Sequence, residues 1–165
     1  MADCLERLAA LSIELPTVTA PLYSYETTTQ SGNLLFVSGQ ISRSSSGETM
    51  EGRLGEDATL EDGCDAARLA ALNLLARIHQ SVGLDNVQQI LKLNVWVNSS
   101  RDFTDQPAVA EAASALLLET LGDAGRHART ALPAHVLPKG AIVELDCTVA
   151  IRSSHSSDMT TSQRV

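Results

Sequence analysis

Two side chains in the last third of the sequence, one cation and one carboxylate, have residue types suited to binding and converting a small anion. Arg129 closes the segment Gly125–Arg129, and Glu144 lies a little further along the chain. An arginine presents a planar fork of donors that matches a carboxylate, and it stays charged at any workable pH. A glutamate can position a water or act as a base when burial moves its pKa toward neutrality. The pair therefore predicts a site for a small anionic ligand.

Both residues fall in segments that alternate with the period of a β-strand. One side of the first segment carries Arg129, Ala131, Pro133 and His135. In the second segment, the apolar residues Val143, Leu145, Cys147, Val149 and Ile151 alternate with Glu144, Asp146 and Thr148. We therefore expect Arg129 and Glu144 on neighbouring strands, on faces that the core does not use. Pro133 lacks a donor for the ladder, which predicts an edge strand or a bulge.

Two long amphipathic helices are predicted to cover the sheet. The first opens at the capping-box pattern of Thr59 and Asp62 and ends at Gly83. Its predicted buried stripe is Leu60, Cys64, Ala67, Ala71, Leu74, Leu75 and Ile78. The second begins near Pro107 and ends at Gly122. Its predicted inner stripe is Val109, Ala113, Leu116, Leu117 and Thr120.

Strand patterns before and between these helices complete a single sheet. A short helix is predicted over 3–11, and strands over 23–29, 34–37 and 87–97. In the last of these, Leu91, Leu93, Val95 and Val97 are predicted to face one way and Trp96 the other. We expect Trp96, the only tryptophan, to lie at a subunit interface rather than simply in solvent. The fold class is therefore α+β, one mixed sheet with two long helices on one face.

Composition limits the function classes. The net charge of −8 repels phosphate backbones, which argues against a nucleic-acid partner. No apolar run is long enough for a membrane span, and the amino terminus lacks a secretory pattern, so a cytoplasmic protein is expected. The three cysteines and four histidines show no metal-ligand spacing, so no metal is expected, and Cys64 and Cys147 are predicted to be buried free thiols. Residues 1–152 are interpreted as one domain and 153–165 as a disordered tail.

Two sequence blocks resemble the Rid (RidA/YjgF) family of reactive-intermediate deaminases. One runs from Arg129 through Leu137-Pro138 to Glu144, and the other is Val37-Ser38-Gly39-Gln40-Ile41. The spacing of Tyr25 and Ser38 is similar to that of the family's pocket tyrosine and serine. Other readings stay open: Tyr25 as a side chain at a strand edge, and Ser38 as the end of a strand at a glycine bulge.

The resemblance implies a chorismate-mutase-like fold that assembles as a homotrimeric barrel with ligand pockets between subunits. It also implies cofactor-free deamination of 2-imino or enamine acids. Arg129 would hold the carboxylate, Glu144 would position water, and Tyr25 would orient the substrate. Ser38, Ala131, His135 and Trp96 are the further candidates for substrate binding. Arg129 and Glu144 could instead form a structural ion pair.

Two departures point to a divergent branch of the family. Ala131 stands where the family's deaminases carry a cysteine, and Glu111 stands where they carry an asparagine. These changes leave two other functions open. One is a non-hydrolytic small-molecule-binding or regulatory trimer. The other is recruitment to different chemistry, such as a lyase, isomerase or cyclisation step in a specialised pathway.

Overall fold

The structure, a computed structural model, describes residues 4–152, which share one hydrophobic core under a five-stranded sheet. The helices are α1 Cys4–Ala10, α2 Leu60–Val82 and α3 Gln106–Leu121. The strands are β1 Thr28–Ser31, β2 Leu34–Ile41, β3 Val87–Asn98, β4 Ala128–Ala134 and β5 Val143–Ile151. Short 3-10 turns cover Leu84–Asn86, Gly122–Gly125 and Pro138–Gly140. The sheet and the two long helices agree with the predicted α+β class, and the predicted tail lies outside the described residues.

The sheet is mixed, with strand order β1-β2-β5-β3-β4. β5 pairs antiparallel with both β2 and β3, whereas β4 pairs parallel with β3 at the edge. The edge position confirms the prediction from Pro133, because an edge strand has one side that needs no ladder donor. No helix within residues 4–152 is long and apolar enough to cross a membrane.

The two long helices begin and end as their sequences predict. The Thr59 side chain accepts a hydrogen bond from the Asp62 backbone N–H, and the Asp62 carboxylate accepts one from the Thr59 backbone N–H. Pro107 lies in the first turn of α3, and Gly122 follows its last residue with a φ of 61°. This left-handed conformation is one that glycine adopts at no steric cost.

The predicted helix stripes are largely confirmed. All five predicted positions of α3 are buried, and so is the α2 stripe from Ala67 onward. The start of the α2 stripe is wrong: Leu60 is 43% exposed and Cys64 is only half-buried. Both lie in the first two turns, where Gly63, rather than a bulky side chain, packs against Leu54 and Val109. The prediction of a buried thiol therefore holds for Cys147 alone of the two.

Two strand predictions need correction. The segment 23–29 is not a strand until β1 begins at Thr28. Before that point the backbone bends, with the Tyr25 N–H bonded to the Tyr23 carbonyl at 2.8 Å, and regular pairing with β2 has not begun, although the Ser38 N–H donates to the Thr27 carbonyl at 2.9 Å. In β3 the register shifts between Ile90 and Lys92, so Ile90 is buried and Leu91 is exposed. This irregularity reverses the alternation on which the prediction for Leu91 depended.

The two faces of the sheet differ sharply. The apolar residues of β5 pack into the core with α2 and α3, as predicted, whereas Glu144, Asp146 and Thr148 point the other way. We call that other side the open face. Trp96 lies there too, paired in register with Glu144 on one side and Leu132 on the other. Phe36 and Leu132 are exposed large hydrophobic residues of the same face.

Candidate functional site

Arg129 lies on the helix side of the sheet rather than on the open face. Its register partner in β3 is Leu93, a fully buried core residue, and α3 passes directly over it. Arg129 Nη1 donates to Glu111 Oε2 at 2.8 Å and to Ser114 Oγ at 2.9 Å. The guanidinium is therefore already bonded to a carboxylate of its own chain.

His127 extends this hydrogen-bond network, and its partners determine which ring nitrogen carries the proton. His127 Nδ1 lies 2.6 Å from the Gly125 carbonyl oxygen, and Nε2 lies 2.9 Å from Ser114 Oγ. Because a carbonyl can only accept, Nδ1 carries the proton in the neutral ring and Nε2 accepts from the Ser114 hydroxyl. Ser114 Oγ in turn accepts from Arg129. We call Glu111, Ser114, His127 and Arg129 the Arg129 cluster.

The glycine that opens this motif has a packing role. A Cβ on Gly125 would overlap the backbone carbonyl of Leu117 in α3. Only glycine lets the chain pass this close to the helix, and that approach sets His127 and Arg129 against α3. The Gly125–Arg129 segment therefore has a packing role through Gly125 in addition to the binding role predicted for Arg129.

Glu144 is half-buried on the open face at the start of β5. Burial raises the pKa of Glu144, and the neighbouring Asp146 carboxylate raises it further. Burial also raises the pKa of Asp146, although a hydrogen bond from Asn94 Nδ2 at 3.0 Å acts against this. Two carboxylates with raised pKa values side by side are typical of sites that handle protons.

A glycine bulge in β2 leaves room for the Glu144 carboxylate. The register of β2 against β5 shifts between Val37 and Gln40, and a Cβ on Gly39 would overlap Glu144 Oε1. The neighbouring Ser38 hydroxyl donates to the Glu26 carbonyl at 2.8 Å. Ser38 therefore ties the preceding segment to the bulge, as the glycine-bulge reading of this position allowed. Gly39 was not among the predicted site residues, although a glycine inside a strand pattern commonly marks a close approach.

A cavity of about 310 Å³ opens beside this bulge. Its lining includes Tyr25, Gly39, Arg43, Arg77, Pro138 and Glu144. The structure thus brings together two of the predicted residues, Tyr25 and Glu144, with the proline of the Leu137-Pro138 motif. We call this space the Glu144 cavity. Tyr25, which lines this cavity, is 49% exposed and therefore accessible to a ligand.

Two arginines in the Glu144 cavity were missed by the sequence analysis. Arg77 follows Asn73 by one helical turn on α2, and the Asn73 amide donates to the Ile41 and Arg43 carbonyls. Asn73 therefore fixes the start of the loop that carries Arg43. A polar pair at i, i+4 on a helix that is otherwise apolar on this side was the available signal.

The predicted meeting of Arg129 and Glu144 on neighbouring strands is wrong within one chain. β3 lies between their strands, and the two side chains point to opposite faces of the sheet. Period-two alternation gives relative faces within each strand, but it does not say which face of β4 meets the core. Their suggested ion pair is absent within one chain for the same reason, and the carboxylate bonded to Arg129 is that of Glu111.

The other predicted binding residues lie in separate places. Ala131 packs against the core on the same side of β4 as Arg129. His135 falls outside β4, which ends at Ala134, so the strand alternation does not extend to it, and its Nδ1 lies 3.3 Å from Arg53 Nη2. Trp96 lies on the open face beside Glu144. Within residues 4–152 no group of three or more His, Cys, Asp or Glu side chains could hold a metal ion.

A larger groove of about 810 Å³ lies between α1, the segment after it and α2. Its lining is mainly apolar, including Leu5, Leu8, Ile13, Leu15 and Val18. It contains none of the predicted site residues, so the chemistry of this chain is better sought in the Glu144 cavity and the Arg129 cluster.

The fold and these two groups of residues define a class: a small α+β domain with two helices on one face of a mixed sheet and a glutamate beside a glycine bulge. The sequence matches the family described as "YjgF/chorismate_mutase-like, putative endoribonuclease" over residues 5–150. The chain belongs to this YjgF/Rid family, which confirms the resemblance seen in the sequence. A curated relative, Protein TCP17 of Trypanosoma cruzi, is 43% identical over 148 residues, which are 88% of this chain and 92% of that protein.

Solved structures support the same assignment. The protein Atu1372 from Agrobacterium tumefaciens is 36% identical with a TM-score of 0.81, over 90% of this chain and 94% of its own. A "putative endoribonuclease" from Shewanella oneidensis MR-1 is 34% identical with a TM-score of 0.87, over 91% and 100% of the two chains. The YjgF gene product of E. coli, at 23% identity and a TM-score of 0.58 over 84% and 98%, shares the fold.

Proposed function

We propose that this protein hydrolyses reactive 2-imino or enamine acids without a cofactor, in a pocket completed by a second copy of the chain. The observation that carries the proposal is the half-buried Glu144 carboxylate, with its raised pKa, beside a bulge glycine and an open cavity. A carboxylate whose pKa is raised is a stronger base than a free glutamate, which suits it to take a proton from water. The family to which the chain belongs adds to this support.

The chemistry needs little from the protein, because an imine carbon is already electrophilic. Glu144 takes a proton from a water as the water oxygen bonds to the carbon of the protonated imine, which gives a neutral carbinolamine. Glu144 then returns that proton to the nitrogen, the carbinolamine hydroxyl loses its proton to Glu144, and cleavage of the C–N bond releases ammonia and leaves a 2-oxo acid. Tyr25 is positioned at the cavity edge to orient the substrate through its hydroxyl.

The need for a second copy follows from the opposite faces of Arg129 and Glu144. One chain cannot direct both at the same small molecule, whereas two copies can combine the Arg129 cluster of one with the Glu144 cavity of the other. The open face, with Trp96, Phe36 and Leu132, would be covered in a closed trimer. Light scattering is expected to give a trimer, and a monomer at micromolar concentration would rule out the shared pocket.

The central test is an imine-hydrolysis assay. An amino-acid oxidase generates a 2-imino acid in the presence of a competing trap, and the rate of imine loss is compared across variants. Wild type is expected to accelerate the loss, and Glu144→Gln is expected to lower turnover by about 100-fold or more. Arg129→Ala is expected to abolish binding of the substrate carboxylate while the fold is kept.

Arg126→Ala serves as the control, because Arg126 is exposed and pairs only with Asp123 close in sequence. Equal activity in wild type and Glu144→Gln would contradict the proposal. Unchanged affinity in Arg129→Ala would make Arg129 a structural residue.

A second function is favoured by one observation, the 2.8 Å bond between Arg129 and Glu111. A carboxylate already present on the arginine competes with a substrate carboxylate, and Ala131 removes the thiol typical of the family's deaminases. A trimer that binds a small carboxylate without turning it over fits these features. Saturable binding without imine loss, across small and bulky imino acids, would select this function over the first.

A further inference from the structure

The Glu144 cavity contains two cations that lack an acidic partner. Neither Arg43 nor Arg77 has a carboxylate within 4.0 Å among residues 4–152, where four ion pairs involve other arginines. Arg77 Nε donates to Gln40 Oε1 at 3.4 Å, and Arg43 Nε donates to the Gly47 carbonyl at 2.9 Å. In both residues the bonds described use Nε, and the terminal nitrogens remain for another acceptor.

Arg77 is held in a place where an unpaired charge is costly. It projects from the C-terminal third of α2 and is only partly exposed, and burial lowers the pKa of Arg77. The electrostatic interaction with Tyr25, which lines the same cavity, acts in the opposite direction and raises the pKa of Arg77. A partly desolvated guanidinium without a carboxylate is stabilised by any ligand that supplies one.

The scaffold orients these two arginines toward one space. Gln40 is itself fixed, because its amide nitrogen donates to the Ser38 and Gly39 carbonyls at 2.9 and 3.0 Å. Its oxygen is thus presented to Arg77 from the same bulge that accommodates Glu144. Arg43 begins the loop that Asn73 anchors.

We infer that Arg77, with Arg43, binds a second acidic group of the ligand, so that the preferred substrate is a dicarboxylic 2-imino acid rather than a monocarboxylic one. This inference rests on the proposed function for the imine chemistry, but the binding part of it stands on the cavity alone. In the shared pocket, Arg129 would take the carboxylate next to the imine, and Arg77 would take the distal one.

The binding test uses succinate and butanoate, which have the same chain length and differ by one carboxylate. Titration calorimetry on the full chain is expected to show succinate binding at least about tenfold more tightly, since a hydrogen bond to a charged group contributes about 1.5–3 kcal/mol. Arg77→Gln is expected to remove this preference, and Arg43→Gln to reduce it. Arg68→Gln, on the same helix but paired with Glu119, is the matched control and should leave the preference intact.

Three results would overturn the inference: equal binding of the two acids by wild type, an intact preference in Arg77→Gln, or loss of the preference in Arg68→Gln. Circular dichroism and trimer formation show that each variant is folded. If Arg77→Gln does not fold, Arg43→Gln carries the test, and an unreduced preference in that variant would overturn the inference.

Turnover separates this inference from the proposed function. The assay compares 2-iminosuccinate with 2-iminobutanoate, each generated by an oxidase. Faster turnover of 2-iminosuccinate that depends on Arg77 supports both. An Arg77-dependent preference for succinate without any turnover would support the dicarboxylate-binding site and contradict the proposed hydrolase function. Turnover of both imines with no Arg77 dependence keeps the hydrolase and contradicts the dicarboxylate preference.

Discussion

The Arg129 cluster and the Glu144 cavity each contain a partly buried arginine, yet the two arginines are in opposite states. Arg129 is bonded to the carboxylate of Glu111 and to Ser114. Among residues 4–152, the side-chain acceptor of Arg77 is the Gln40 amide oxygen, at 3.4 Å. The difference arises from the side chain that the neighbouring helix or strand places against each arginine. An acidic residue of α3 overlies Arg129, whereas the bulge of β2 presents only an amide to Arg77.

This comparison teaches that the presence of an arginine in a motif does not make it the principal anion site. How readily an arginine binds a ligand anion depends on how many of its N–H donors already have acceptors within the protein. In this chain the motif arginine is paired with Glu111, whereas Arg43 and Arg77, which line the cavity with the glutamate, have no ion pair among residues 4–152. Four variants can break or sharpen the comparison, and they are ordered by expected effect.

The largest effect is expected for Gly39→Ala. The new methyl group would overlap Glu144 Oε1, and the carboxylate, at the end of a flexible side chain, would move aside. A misplacement of this size is expected to lower turnover by about 100-fold while the unfolding midpoint in urea changes little. In a Glu144→Gln background the same change should add almost nothing to the loss. A large additional loss there would show that Gly39 acts independently of Glu144.

A smaller effect is expected for Ser114→Ala on the other side of the sheet. The change removes an acceptor from Arg129 and a donor from His127. Carboxylate affinity is expected to fall by about tenfold, because hydrogen bonds to charged groups contribute about 1.5–3 kcal/mol. The ratio of succinate to butanoate affinity, which depends on Arg77, should not move. Ser81→Ala is the control, since Ser81 bonds only to Thr28 at the far end of α2.

Glu111→Gln should have a modest effect of opposite sign. The Glu111 carboxylate is 65% exposed, and exposed ion pairs contribute about 0–1 kcal/mol. Releasing Arg129 is therefore expected to tighten butanoate binding by no more than about fivefold, most clearly at low salt. Glu119→Gln, also on α3 but paired with Arg68, is the matched control. Weaker butanoate binding in Glu111→Gln would mean that Glu111 positions Arg129 rather than competing for it.

The smallest effect concerns stability and pH. Because the pKa of Glu144 is raised in the folded state, its contribution to stability is fully present below the unfolded pKa, about 4.3. That contribution is lost as the pH rises through the folded pKa. Glu144→Gln should therefore unfold at slightly higher urea than wild type at pH 8 and lose this advantage near pH 4. The reverse pH dependence would show that the ionised form of Glu144 is stabilised in the fold.

Much of the fold followed from local patterns in the sequence. The capping box at Thr59, the stripe of α3 and the alternation of β5 each depend on neighbours in the chain, and these were predicted correctly. Errors arose where a distant partner decides the outcome. Leu91 is exposed because β3 changes register against β5, and Tyr25 precedes β1 because the backbone bends there, with the Tyr25 N–H bonded to the Tyr23 carbonyl.

The site was harder to predict than the fold. Tyr25 and Glu144 were predicted as site residues and do line one cavity, whereas Arg77 was missed and Gly39 was noted only as part of a motif, since their importance depends on contacts between α2, the β2 bulge and β5. The face of Arg129 was predicted wrongly because period-two alternation does not say which face of β4 meets the core, and its distance from Glu144 was predicted wrongly because alternation does not encode strand order. His135 was placed in a strand that ends one residue earlier.

The central position of β5 has a consequence for how the protein is made. β2 and β3 pair with β5 but not with each other, although β5 is the last strand along the described chain. During synthesis the β1–β2 hairpin and the β3–α3–β4 unit can each form, but no ladder joins them until β5 has left the ribosome. Until then the sheet lacks its central strand and the core is incomplete, so nascent chains that stop short of residue 143 should depend on chaperones more than chains that include β5.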